Sequence, residues 1–209
     1  MTNRLELVNH LSSEKQHIKL HPDVLTILFE HRRYIKSVFL DLAGLHEIAH
    51  LGITIVDPAK EILVFSSTPN IEYNLIQQHL WRADPCFSPR LHTNNNFCWW
   101  NSCHADEIEK IKFKNNQFNF GMTLARKINN FHLLYSYATR SRREDLPEYY
   151  ESNLHELIVI GDYFYKSIRD IYSSYGIKYP PPELDHLRTK ASQTNIRPYL
   201  RLVVATNRG

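Results

Sequence analysis

FNFGMTLARKINNFHLLYSYA, residues 118–138, is two apolar, strand-prone runs separated by a pair of asparagines. Phe118 to Ala125 and Phe131 to Ala138 are predicted to pair as a hairpin across Ile128-Asn129-Asn130, because Asn tolerates the positive φ that a tight turn demands. The same pattern occurs earlier in the chain. Leu51 to Val56 and Ile62 to Phe65 are β-branched and apolar, and Asp57-Pro58-Ala59-Lys60-Glu61 between them is turn-forming. Two hairpins predict an antiparallel sheet and argue against a doubly wound parallel one, whose strands need crossover connections.

Helical spacing surrounds these strands. Residues 22–41 begin with Pro22 at a plausible first helical position and repeat apolar side chains at Val24, Ile27, Leu28, Ile35, Val38 and Phe39, which predicts one amphipathic helix. Residues 71–81 return to that spacing through Ile71, Leu75, Ile76 and Leu80. A shorter helix is expected over 104–112, broken by Asn115-Asn116, and a long one from Pro147 to Tyr175, stopped by Gly176. The stretch from Asp84 to Asn101, rich in Pro, Asn and aromatics, reads as a loop. The expected fold is therefore α+β. Four or five antiparallel strands carry helices on both faces in an α/β/α sandwich, with room for a small ligand cavity between sheet and helices.

Composition narrows the class. With 209 residues, 43% of them apolar and only six Gly, disordered, collagenous and solenoid chains are excluded. No apolar run reaches the roughly 18 residues of a membrane span, and MTNRLELVNH has no signal-peptide core, so a cytoplasmic protein without a membrane partner is expected. Cys86, Cys98 and Cys103 are too few and too clustered for a disulfide scaffold and read as free thiols. The formal charge of +3 is uneven. Residues 178–209 carry +4 and residues 1–177 carry −1. Tyr179-Pro180-Pro181-Pro182, short of backbone donors and favouring an extended conformation, predicts a boundary between a domain over 1–177 and a basic tail over 178–209.

Three constellations could carry chemistry. His46-Glu47-Ile48-Ala49-His50 fits the H-E-x-x-H spacing that lets two imidazoles on one helix face bind zinc with a glutamate as base. A zinc hydrolase needs that motif inside a continuing helix, whereas here Gly44 precedes it and the strand-like Leu51 to Val56 follows at once. A turn into a strand is thus the expected reading, with a metallohydrolase using His46, Glu47 and His50 as the alternative. Cys98-Trp99-Trp100-Asn101-Ser102-Cys103-His104, with Cys86 and His92 upstream, offers ligands at one end only of a zinc site. A nucleophilic Cys98 or Cys103 fits no enzyme signature, and small thiols buried beside tryptophans are the plainer reading. Tyr73, Trp81, Asp84, Trp99 and Trp100 form the third group: one carboxylate among aromatics, suited either to a mostly apolar pocket with few polar groups or to a hydrophobic minicore in which Asp84 caps a turn.

Pro69 to Trp99 resembles the autoinducer-binding domain of quorum-sensing regulators of the LuxR type. In that family an S-N-Y-P turn leads into a helix with spaced Trp and Tyr, then Asp-Pro, then a Trp fifteen residues beyond the Asp. Here Ser66-Ser67-Thr68-Pro69 enters the helix, Asp84-Pro85 follows, and Trp99 stands fifteen residues after Asp84. Gly121-Met122-Thr123-Leu124 and Leu134-Tyr135-Ser136-Tyr137-Ala138 are similar to the family's later strands, and the likeness spans roughly residues 17–176. It implies a pocket for an acyl-homoserine lactone or a related small amphiphile. Asp84 would accept from the ligand amide N–H, Trp99 would pack on the head group, and Ser136 would hydrogen-bond the carbonyl side. The helix positions that carry the family's Trp and Tyr fall on Ile71 and Leu75, with Tyr73 and Trp81 nearby but out of register, which removes a donor to a lactone.

The 32 residues after Ile177 show no paired helices of a DNA-reading domain, and Arg197-Pro198-Tyr199 with LRLVVA (200–205) reads as extended. The expected function is a non-enzymatic ligand-sensing or dimerisation module without a cofactor or bound metal. It would act on transcription through a small amphiphilic signal, as a homodimer, or as a heterodimer with a full-length regulator. Direct DNA binding is not expected, since +4 over the tail is what a solvated tail carries.

Overall fold

A computed structural model describes residues 18–88, 96–102, 105–176 and 178–184. In chain order they form β1 (Lys19–Leu20), α1 (Val24–Glu30), α2 (Arg32–Leu40), β2 (His50–Val56), β3 (Glu61–Ser66), α3 (Asn70–Gln77), β4 (Phe97–Trp99), α4 (Asp106–Lys112), β5 (Phe120–Ile128), β6 (Phe131–Thr139), α5 (Leu146–Ser152) and α6 (Leu154–Tyr175). One six-stranded sheet has the order β1-β3-β2-β6-β5-β4. Every neighbouring pair is antiparallel except β1, which adds two parallel residues beside β3.

Both expected hairpins form. Asn129 turns β5 into β6 at φ 53°, and Lys60 does the same between β2 and β3 at φ 65°. There the Asp57 carboxylate accepts from the Glu61 N–H at 2.8 Å and closes the turn. The sheet is longer than the four or five strands expected, because the aromatic loop contains β4 and the residues before α1 contribute β1.

Two of the expected helices are each a pair. The helix over 22–41 breaks at His31, whose ring is held at 2.9 Å by the Tyr175 hydroxyl. The long C-terminal helix breaks at Asn153, whose side-chain amide donates to the Tyr149 carbonyl at 2.6 Å and so competes with the backbone ladder. Likewise α3 ends at Gln77, and a separate 3₁₀ turn, Leu80–Arg82, holds Trp81.

The sheet is buried on both faces, so the fold is an α/β/α sandwich. One face presents Ile53, Leu63, Phe65, Leu124, Leu133 and Tyr135 to α2, α5 and α6. From α6, Leu157, Ile160, Phe164, Ile168 and Tyr172 repeat at three- and four-residue spacing and meet it as one apolar stripe. The opposite face presents Val56, Val64, Ala125, Leu134 and Ala138 to α3 and α4, and the candidate site lies on this side. After Gly176 the chain folds back: Tyr179 packs on the α6 core, Tyr165 donates to the Pro182 carbonyl at 2.7 Å, and Leu184 is buried. Contacts with the body thus run past the prolines as far as Leu184. Among the described residues no helix is long and apolar enough to cross a membrane.

Candidate functional site

Strand pairing sets one small polar group beside another on the α3/α4 face. Thr123 on β5 lies opposite Ser136 on β6, and Ser136 lies opposite Gly52 on β2. The Thr123 and Ser136 hydroxyls are 2.9 Å apart, and the Trp100 indole N–H donates to Thr123 at 3.0 Å. Gly121 makes room for that indole, since a Cβ there would come within 2.5 Å of the ring.

Asp84 caps the 3₁₀ turn Pro85–Phe87 by accepting from the Cys86 N–H at 3.0 Å. The same carboxylate holds Lys112 of α4, whose Nζ donates to Oδ1 at 2.8 Å and lies 2.6 Å from Oδ2. Both residues are almost fully buried, at 2% and 3% exposure. The ammonium also donates to the Cys86 sulfur at 3.3 Å and sits 4.9 Å from the centre of the Trp100 ring. Burial by itself would lower the Lys112 pKa, but Asp84 and Cys86 together hold it above the ordinary lysine range, so the group is charged. An apolar setting makes a lone ion costly, and each charge here is stabilised by the other.

His50 and Glu72 complete the polar cluster. Their nearest atoms, His50 Nε2 and Glu72 Oε1, are 3.9 Å apart, and among the described residues neither His50 ring nitrogen nor Glu72 Oε2 has a hydrogen-bond partner. Burial, helped by the charges of Lys112 and Lys36, pushes His50 down to about 3. Burial likewise pushes Glu72 up to about 7. At pH 6 the pair is therefore imidazole and carboxylic acid, both neutral. A cavity of about 20 Å³ lies between Glu72 and the Asp84, Thr123 and Ser136 side chains. It has room for about one water molecule.

The thiols adjoin the same cluster. Cys98 of β4 is opposite Thr123, which points it toward the α3/α4 side, and β4 runs against the Pro85–Phe87 turn that carries Cys86. Hydrogen bonding from the Cys86 thiol lowers Cys98 to about 6 against the effect of burial, with help from Ser102 and Lys112. Cys86, donating to Cys98 and buried, is pushed well above the usual thiol range.

Of the residues singled out from sequence, Asp84 and Ser136 line the cavity. Trp81 is buried in the same apolar layer and meets the edge of Phe87 with ring centres 6.4 Å apart. Tyr73 turns away to the Phe29 ring, 5.4 Å between centres. Trp99 lies opposite Met122 and so faces the α6 side, among Phe97 and Phe120, while its neighbour Trp100 takes the place beside Asp84. Lys112, Glu72, Thr123 and Trp100 complete the site. Lys112 had a readable signal: it follows Ile108 by four residues, which places it on the same buried face of α4.

The histidine motif does not assemble a metal site. His46 and Glu47 have φ of 49° and 60°, which no α-helix allows. His46 lies on the α5/α6 side, 2.9 Å from the Tyr149 hydroxyl and 2.8 Å from Glu156, and Glu47 pairs with Arg143. His50 packs on Trp100 across the sheet.

No protein-family model matches the chain, and no curated protein matches it. Solved structures similar to it include Escherichia coli SdiA in the space group P6522, at 12% identity and TM-score 0.49, covering 87% of this chain and 78% of that one. SdiA in complex with octanoyl-rac-glycerol is similar at 13% identity and TM-score 0.49, covering 86% of this chain and 80% of that one.

Proposed function

We propose that the chain is a non-enzymatic regulatory module whose ligand position is closed by its own Lys112. It acts on transcription by pairing with a regulator of the same fold and captures no acyl signal. The observation that carries this reading is the buried Asp84–Lys112 pair beside a cavity of about 20 Å³. A ligand amide N–H arriving at Asp84 would have to displace an ammonium, and stranding that charge costs about 3–5 kcal/mol. An acyl chain also needs a pocket of roughly 300 Å³ or more. Sensing of a small polar molecule is the second reading, favoured by the His50 ring nitrogens and Glu72 Oε2, which have no hydrogen-bond partner among the described residues.

The test is calorimetry and thermal unfolding of protein purified without any signal. Neither N-octanoyl-homoserine lactone nor octanoyl-glycerol is expected to bind or to raise Tm, and Lys112→Met should lose about 3–5 kcal/mol of stability because Asp84 stays buried without its partner. Co-expressed with a full-length regulator from the same cell, the chain should lower that regulator's retention on DNA. Saturable binding of either amphiphile to the chain with Lys112 in place would overturn the proposal.

A further inference from the structure

We propose that Cys98 is a hydroperoxide-reactive thiol that Cys86 resolves, so that a hydroperoxide closes a Cys86–Cys98 disulfide beside the Asp84–Lys112 pair. This goes beyond the function proposed above and does not depend on it.

Three observations place the chemistry. Cys98 is on β4, at the edge of the sheet, and is partly exposed, so a small oxidant reaches it. Its sulfur is 3.2 Å from the Ser102 hydroxyl, and Cys98 faces the apolar layer that holds Cys86, whose turn packs directly against β4. Cys86 is buried and holds its proton at rest, and its sulfur is 3.3 Å from the Lys112 ammonium, a charge that favours loss of that proton once Cys98 has been oxidised. A nucleophile at the surface with its resolving partner behind it, next to a fixed cation, is the arrangement that two-step thiol oxidation needs. The ionisation of Cys98 near pH 6 supports the same order of events, since the thiolate is the attacking species.

In the first step the Cys98 thiolate attacks the terminal oxygen of the hydroperoxide. An S–O bond forms, the O–O bond breaks, and the departing alkoxide takes a proton from water to leave as an alcohol. Sulfur is oxidised by two electrons and the peroxide is reduced. In the second step the Cys86 sulfur attacks Cys98; the S–S bond forms, the S–O bond breaks, and hydroxide leaves with the Cys86 proton as water. The product ties β4 to the Pro85–Phe87 turn and takes from Lys112 its free thiol neighbour.

Treating the full chain with one equivalent of cumene hydroperoxide, followed by non-reducing peptide mapping, tests this. Loss of two thiols, an intact-mass loss of two hydrogens and a Cys86–Cys98 cross-linked peptide are expected, unchanged in Cys103→Ser. Cys86→Ser should instead accumulate a sulfenic acid at Cys98 that dimedone traps, and Cys98→Ser should leave Cys86 reduced. Without any substitution, the alkylation rate of Cys98 should follow a profile with its midpoint at about pH 6, against roughly 8.5 for a free cysteine. A disulfide to Cys103 in place of Cys86, both thiols surviving the peroxide, or a midpoint at the free-cysteine value would each overturn the proposal.

Discussion

The pKa values of His50 and Glu72 shift in opposite directions on folding, and the overlap of their titration windows makes the two effects offset. His50 falls from 6.5 to about 3 on folding, so the unfolded chain alone holds that proton between those values and stability is lost on acidification through the window. Glu72 rises from 4.5 to about 7, so the folded chain alone holds that proton, and stability is lost as pH rises through 4.5–7. Between about 4.5 and 6.5 each state carries one proton on the pair, and the pair adds no slope. Glu72→Gln exposes the histidine: its stability should rise with pH across 4.5–6.5, relative to wild type, by about 1.4 kcal/mol per unit. His50→Gln should show the opposite slope. Denaturant melts at pH 4.5, 5.5 and 6.5 check both, and parallel curves for all three proteins would refute the assigned protonation states.

At the scale of elements, the site depends on β4 giving way at once to a 3₁₀ turn, so that Trp99 and Trp100 leave the sheet on opposite sides. Gly121 on β5 is what lets the Trp100 ring lie against the strand. Gly121→Ala forces the ring off its seat and should cost about 1–3 kcal/mol, with a shift in tryptophan fluorescence as the indole loses Thr123. Unchanged melting and emission would mean that the ring has somewhere else to go. The hairpins themselves were legible because alternation and turn chemistry are local. Which tryptophan reaches Asp84 was not, for a physical reason: spacing from Asp84 picks Trp99, but the facing of a three-residue edge strand is decided by its register against β5, which no local pattern carries. Lys112 went unread for a related reason, since a lysine on an apolar stripe is explained only by the carboxylate 28 residues upstream that meets it.

For the molecule as a whole, the described residues that follow the prolines, as far as Leu184, pack on the body. Proline composition reports backbone freedom, whereas the segment is held by tertiary contacts: the Tyr165 hydroxyl on the Pro182 carbonyl, and Leu184 at 9% exposure on the core. Leu184→Ala should accordingly cost about 2 kcal/mol, near the low end for a buried leucine because the site is at the rim, measurable as a lower urea midpoint at unchanged slope. A solvated linker would show no change.

Lys112 and Asp84 also set terms of competition for anything that diffuses. Because the ammonium is tethered to the same chain, it is present at its partner at an effective concentration of roughly millimolar or more, whatever the protein's dilution. A free cation or N–H donor seeking Asp84 must displace that tethered ammonium, so its apparent affinity is the intrinsic one reduced by the small fraction of molecules in which Asp84 stands unpaired. The carboxylate is in that sense answered from within its own chain, at a level that diluting the protein does not change.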